Sequence, residues 1–235
     1  MVIRSARLAI VGLVAVIAVA LAGPLVHGVG AAQAEPRYPA LSDFHALRAG
    51  EAPTRTGRVP VTVRDLGQLV VRSGLVEASD PYVSLGQAGR FAVPNGTYRV
   101  VQTVADMSKN RDGSNRRIAY LSLVLSDRPT TRVELAVPPG KPAPTGDKVY
   151  GVAVDAGMVA FADGAAIRAY LPTDDDPSAF IKGSGMFPIP GAQHGENIAV
   201  SDSGWGDGFY PVLVTRAADG SPTGLHIDTQ VLGVL

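Results

Sequence analysis

Along most of the chain, apolar and polar residues alternate in short runs, and glycine, asparagine or aspartate separates one run from the next. Period two over four to eight residues is the pattern of a strand with one face turned inward. Strands are therefore expected at 61–63, 66–71, 75–78, 98–104, 118–125, 131–137, 148–154, 158–162, 210–215 and 224–232. Asn95-Gly96 carries the signature of a tight hairpin turn. Asp112-Gly113 and Asp219-Gly220-Ser221 mark two further hairpin tips. Helical signals are few and short. Ser42 is placed to cap 43–48, Asp80 to cap a helix with Pro81 in its first position, and Asp163 to open 165–171, which Pro172 ends. The segment 173–203 has no clear period. The fold class is mainly β, a sandwich or a closed barrel, with a few short helices.

The pattern also echoes itself. Gly74-Leu75-Val76-Glu77-Ala78-Ser79-Asp80 matches Gly157-Met158-Val159-Ala160-Phe161-Ala162-Asp163. Gly96-Thr97-Tyr98-Arg99-Val100 matches Gly208-Phe209-Tyr210-Pro211-Val212. Asp112-Gly113-Ser114 matches Asp219-Gly220-Ser221 at a spacing of 107, which also sets Ile118 against Leu225 and Val124 against Val231. Two pseudo-symmetric halves are expected, roughly 60–137 and 147–235, joined by the Pro- and Gly-rich stretch 138–146 and sharing one core. The halves differ in length at one place: Asp80 to Tyr98 spans 18 positions, Asp163 to Tyr210 spans 47. Long insertions of this kind are where binding surfaces concentrate, which points to the neighbouring turn Gly204-Trp205-Gly206-Asp207-Gly208.

The N-terminus follows other rules. Arg4 and Arg7 precede an apolar run from Leu8 to Ala22, Gly23-Pro24 breaks it, and Ala32-Gln33-Ala34 offers small residues to a signal peptidase. Residues 1–34 are expected to be a signal peptide that makes the protein secreted or extracytoplasmic. Ala20-Leu21-Ala22 is a second cleavage site, and an uncleaved anchor is the alternative. The run of about 15 apolar residues falls short of the ~20 that span a bilayer. Residues 35–59 read as a tether or a packed-on arm, and 60–235 as one β-rich domain. After cleavage no membrane association is expected.

Formal charge is balanced, so no basic field for nucleic acid exists. There is no cysteine, hence no disulfide, thiolate metal site or lipid anchor on a cysteine. No cofactor motif is present. Asp174-Asp175-Asp176 with Asp207 is the one oxygen-rich grouping for Ca²⁺. The alternating loop and distal Glu of an EF-hand are missing, and no metal is assigned.

The candidate binding residues are Asp155, Trp205, Asp207 and Tyr210. Trp205, Phe209 and Tyr210 on a glycine turn form a stacking platform for a peptide or carbohydrate ligand. Tyr210 and Phe209 point to opposite faces of a strand, so one of them is expected inside and Trp205 outside. Asp155 and Asp207 sit beside glycines, where aspartate commonly bonds the turn's own backbone. The favoured function is a non-catalytic binding or interaction module. The alternative is a hydrolase in which Asp155 and Asp207 converge with a histidine. Ser203 and His194 flank the turn, but no nucleophile-elbow pattern accompanies them.

The frame Ser73-Gly74, Asp80-Pro81, Gly96-Thr97-Tyr98, Val154-Asp155-Ala156-Gly157, Asp163, Asn197-Ile198-Ala199-Val200 and Ser203-Gly204-Trp205-Gly206-Asp207-Gly208 with Tyr210 resembles the bacterial domain-of-unknown-function family 4241, here as an exported, actinobacterial-type member. The resemblance runs from about 63 to 232. It implies a β-rich bacterial domain and brings no activity with it. Members of that family often end on an acid followed by an aromatic, whereas Asp228 is followed here by Thr229.

Overall fold

The computed structural model describes residues 40–171 and 176–233. The expected signal segment, residues 35–39 of the arm, and Asp174 and Asp175 lie outside the described residues. Among the described residues, thirteen strands form two antiparallel sheets. The first runs β1 (Gly50–Thr54), β2 (Gly57–Val71), β5 (Gly96–Asp106), β6 (Arg116–Val124), β13 (Pro222–Asp228), β12 (Gly208–Arg216). The far edge of β12 is shared end to end by β7 (Arg132–Leu135) and β8 (Gly151–Val154). The second sheet runs β10 (Gly185–Pro188), β11 (Asn197–Asp202), β9 (Met158–Asp163), β3 (Leu75–Ser79), β4 (Gly89–Ala92). The first sheet curls into a half-barrel, so the fold is a two-sheet β structure and not a closed barrel.

The period-two pattern places one main core between the sheets. Leu69, Val100, Leu121, Leu123, Val212, Leu225 and Ile227 come from the curled sheet, and Val76, Phe91, Phe161 and Ala199 from the flat one. Each such side chain contributes ~1.5–3 kcal/mol when taken out of water. The opposite faces are covered as well. Residues 41–47 pack Phe44 and Ala46 onto the concave side of the curled sheet, over Tyr120, Leu213 and Val61. The helix α1 (Ala166–Tyr170) and the loops around it cover the back of the flat sheet at Ala160, Ala162 and Val200.

Several elements differ from the sequence expectation, each for a local reason. The runs 61–63 and 66–71 are one strand, bent by a bulge between Asp65 and Gly67. Gly67 has φ +138°, and its N–H donates to Asp65 Oδ1 at 2.9 Å. The extra residue switches faces, so Val59 and Val61 point to the concave side while Leu69 and Val71 enter the main core. Asn95-Gly96 is not a hairpin turn. It carries the chain from β4 in one sheet to β5 in the other, and Gly96 keeps an ordinary negative φ. Asp80 caps a turn and not a helix. Tyr82 N–H donates to Asp80 Oδ1 and Ser84 N–H to Asp80 C=O, but 81–87 never closes a helical ladder. Residues 43–48 likewise form turns. The segment 173–203 holds two strands and a 3₁₀ turn, Pro177–Ala179. The last strand stops at Asp228, and the sheet starts at Gly50, ten residues before the expected boundary.

Two crossings from the flat sheet to the curled one are built alike. In the first, Val71 pairs with Gly96 and Leu69 with Tyr98, and the Tyr98 hydroxyl donates to Pro94 C=O at 2.8 Å. In the second, Val154 pairs with Gly208 and Val152 with Tyr210, and the Tyr210 hydroxyl donates to Gly206 C=O at 2.9 Å. A hairpin follows each crossing, with a register shift after Thr103 in one and after Thr215 in the other. Val100 pairs with Leu123, and Val212 with Ile227. Leu123 therefore stands where Ile227 stands, a spacing of 104. The spacing of 107 that aligns the two hairpin tips does not continue into the strands.

Candidate functional site

The turn between β11 and β12 is held by its own residues. Ser203 N–H donates to Gly157 C=O at 3.0 Å, and the Ser203 hydroxyl to Gly206 C=O at 2.6 Å. Tyr210 closes the same carbonyl from the strand side. Gly204, at φ +76°, lies so close to β6 that a Cβ there would meet Ile118 C=O at 2.6 Å. The result is a rigid platform for Trp205, which is 51% exposed. Its indole N–H donates to Gln230 C=O at 3.3 Å, and the Arg117 guanidinium stands 5.2 Å over the ring. Arg117 is itself fixed by Gly204 C=O and Asn115 Oδ1, each at 3.0 Å. An aromatic held by a cation on one face and a hydrogen bond at its edge loses little entropy when it stacks on a ligand.

Clefts open on both sides of this ridge. One, of about 350 Å³, is lined by Trp205, Thr54, Arg55, Met107 and Gln230. The other, of about 360 Å³, places Arg64, Arg116 and Arg117 against Asp202 and the backbone of Ser203 and Gly204.

The remaining predicted residues divide. Asp155 and Asp207 follow directly on the Val154–Gly208 pair, at the end of the β8–β12 ladder, so the structure brings these two segments together. Both residues are exposed. The 155–157 loop is held from below: Asp155 and Ala156 N–H groups donate to Asp80 Oδ2 at 2.9 and 2.8 Å. Tyr210 is buried, with its hydroxyl committed to the turn, and burial raises its pKa. Phe209 is the outward member of the pair, 49% exposed. Asp176 caps the 3₁₀ turn through Ser178. Among the described residues no three His, Asp or Glu side chains gather to hold an ion.

Among the described residues, no histidine gathers with Asp155 and Asp207. His226 pairs with Leu213, six residues along β12 from Asp207, or about 20 Å at ~3.3 Å per residue. His226 was not singled out in the sequence, yet it centres a buried polar chain. Its Nδ1 contacts Ser122 Oγ at 2.9 Å and its Nε2 contacts Thr215 Oγ1 at 3.0 Å. Thr223 continues the chain to Thr215 at 2.9 Å, and Thr130 to Thr223 at 2.7 Å. Phe44 packs edge-on against the imidazole, with centroids 4.9 Å apart. Burial without a charged partner lowers the His226 pKa to about 3. Two residues on, burial raises the Asp228 carboxyl to about 7 against the hydrogen bond from Gln230 N–H. In the sequence, His226 and Asp228 alternate with Leu225 and Ile227, which reads as the wet face of a strand. Only the arm reveals that this face is covered.

Residues 69–227 match the family model described as a protein of unknown function, DUF4241. The chain belongs to the DUF4241 family. The match starts after the β2 bulge, later than the expected 63, and stops at Ile227, short of 232. The DUF4241 region thus contains the flat sheet, both crossings, both hairpins and the Trp205 turn, while the arm, β1 and the first part of β2 lie outside it. No curated protein and no solved structure matches the chain.

Proposed function

We propose that this DUF4241 protein is a non-catalytic binding module, exported from the cytoplasm, that captures a peptide or carbohydrate ligand along the Trp205 turn. The observation that carries the proposal is the rigid, half-exposed Trp205 between two clefts, fixed by Arg117 and Gln230. Arg64 and Arg116 in the adjoining cleft favour ligands with acidic groups. Asp155 and Asp207, exposed at the neighbouring ladder end, are suited to hydrogen-bond hydroxyl or amide donors. The hydrolase alternative has Asp155 and Asp207 at the same ladder end, but among the described residues no histidine gathers with them, which weighs against it.

Trp205 is the only tryptophan, so its emission reads this site directly. Acidic oligosaccharides, neutral oligosaccharides and acidic peptides are titrated while emission and acrylamide quenching are followed. A saturable blue shift with protection from quenching, weakened by Arg116→Ala and Asp207→Ala, is the expected outcome. Unchanged emission with all three classes, together with ester or glycoside turnover abolished by Asp155→Asn, would replace this proposal with the hydrolase. Export is tested by mass spectrometry of the mature chain, which is expected to begin at Glu35 after cleavage behind Ala34.

A common descent of the two halves is the second part of the proposal. Its support is the matched crossings, the paired tyrosine hydroxyl bonds and the register shifts at Thr103 and Thr215. The insertion in the second half then holds α1, the 3₁₀ turn and β10, and it stands between Asp163 and the Trp205 turn.

A further inference from the structure

The arm-covered face of the curled sheet carries a third cavity, separate from the Trp205 ridge. It measures about 290 Å³ and lies between the arm, the start of β5 and the loop that follows β6. Its floor is polar: Thr130, Thr223, Thr215 and His226, joined in the hydrogen-bonded chain described above. Its wall is apolar: Phe44, Ala46 and Leu47 of the arm, with Val124 of β6. Three arginines from three separate segments line it, Arg48, Arg99 and Arg128, against a single acid, Asp127. Arg128 is partly engaged by Asp219 at 2.6 Å and by Ser221 at 2.8 Å. Arg48 and Arg99 form no ion pair with a described residue.

A second observation is independent of charge. Ser126 lines the same cavity, and its Oγ is sealed from solvent with no hydrogen-bond partner among the described residues, so that rotation about its Cα–Cβ bond is what turns the hydroxyl toward a ligand. A buried hydroxyl without a partner costs ~1–3 kcal/mol, and such a group in a native fold calls for an acceptor that is absent from the protein itself. An oxyanion supplies that acceptor and also answers the arginines. The apolar wall and the volume, near the lower limit for small-molecule sites, suit a compact body attached to the anionic head.

We propose that this cavity is a binding site for a small organic anion, with a carboxylate or phosphate head held by Arg48, Arg99 and Ser126 and its body against Phe44 and Leu47. The Trp205 site plays no part in it. Because the arm supplies both Arg48 and the apolar wall, ligand and arm stabilise each other.

The test uses the full chain and three probes at matched ionic strength: benzoate, inorganic phosphate and chloride. Calorimetry is expected to give saturable binding of benzoate or phosphate and none of chloride. Benzoate binding alone marks a carboxylate with an apolar body as the ligand class; phosphate binding alone marks the phosphate head. In either case, Arg48→Gln and Arg99→Gln are each expected to weaken binding about tenfold. Both side chains belong to exposed residues, so the variants are expected to keep the parent urea midpoint, which confirms that they fold. Arg117→Gln and Trp205→Phe are expected to leave this affinity unchanged, so failure here and failure at the Trp205 ridge are separable. No saturable binding up to about 10 mM of either anion, or affinity indifferent to Arg48 and Arg99, overturns the proposal.

Discussion

Asp80 and Asp163 each hold the loop that precedes the other. Asp163 Oδ2 accepts the N–H groups of Arg72 and Ser73, at 2.7 and 2.8 Å, in the loop that leads into the strand ending before Asp80. Asp80 Oδ2 accepts the N–H groups of Asp155 and Ala156 in the loop that leads into the strand ending at Asp163. Their Oδ1 atoms cap the turns that follow, at Tyr82 and at Ala165 with Ala166. Because β3 and β9 are antiparallel neighbours, the end of one strand lies beside the start of the other, and the exchange is geometrically direct. Two carboxylates thus tie the loops that lead from β2 into β3 and from β8 into β9 to the centre of the flat sheet, and the 155–157 loop is part of what they hold.

Removing either carboxylate leaves several part-buried N–H groups without their acceptor at once, and for Asp163 the buried N–H of Ala166 as well. For Asp163 burial pushes the pKa up, but the N–H groups of Ala166, Ser73 and Arg72 outweigh it and the net direction is down. Asp163→Ala is expected to cost about 3–5 kcal/mol, measured by urea denaturation, because bonds to a charged acceptor are the stronger class. Its stabilising effect is present above the ordinary carboxylate pKa and is lost as pH falls through the lowered folded value. Asp80→Ala should in addition raise hydrogen exchange at Asp155 and Ala156, 75 and 76 residues away in sequence.

The two glycines flanking Trp205 differ in what surrounds them. Gly204→Ala places a Cβ against the Ile118 carbonyl at positive φ, so backbone has to move. A loss above about 3 kcal/mol is expected, with an altered Trp205 emission. Gly206, at φ +94°, has no atom within 4 Å of the added Cβ, and Gly206→Ala should cost only about 1 kcal/mol. Equal losses at the two positions would mean that the turn is not packed on β6 as described.

His226 and Asp228 push stability in opposite directions with pH. Between about pH 4 and 6.5 the unfolded chain protonates His226 while the fold keeps it neutral, so this residue makes stability rise with pH. Over the same range the fold retains a proton on Asp228 that the unfolded chain releases, so this residue makes stability fall until about pH 7. Each slope is at most about 1.4 kcal/mol per pH unit. Glu77, raised by burial to about 7 and only partly relieved by Gly86 N–H and Arg90, adds to the fall. Urea midpoints from about pH 4.5 to 7.5 are expected to decline in His226→Gln and to lose part of any decline in Asp228→Asn.

Among its described residues, the arm packs on the curled sheet. Phe44 is almost fully buried and meets Tyr120 and His226 edge-on, at 5.4 and 4.9 Å. Leu47 N–H donates to Thr103 Oγ1 at 3.0 Å. Phe44→Ala should cost about 3–5 kcal/mol and, by admitting water, move the His226 pKa back toward 6.5 in an NMR titration. A variant with full stability and an unshifted imidazole would return the arm to the role of a tether.

Strand identity was legible because short apolar runs are bounded by turn residues: 158–162, 210–215 and 118–125 lie almost where those runs place them, and all three are buried on both faces. That one of Phe209 and Tyr210 turns inward was legible from the two-residue period of a strand, but which of them does so was not: Tyr210, read as a binding candidate, is the buried one. Asn95-Gly96 misled because its propensity suits a hairpin, and the choice between turning back and crossing to another sheet is made by partners far away in sequence. The helix at Asp80 failed for a related reason: an N-cap side chain supplies the first turn, but 81–87 has no continuous apolar stripe with which to propagate one.

By itself the sequence determined a mainly β chain without cysteine, with two matched runs of turn and strand signals and a glycine-framed tryptophan, since these depend on local sterics and on which residues leave water. Tertiary structure alone decided that the polar face of β13 is buried, that Asp80 and Asp163 exchange loops, and that arginines from three segments converge on one cavity. Those outcomes depend on contacts between residues tens of positions apart, whose free energy exists only once the sheets have curled and the arm has closed over them.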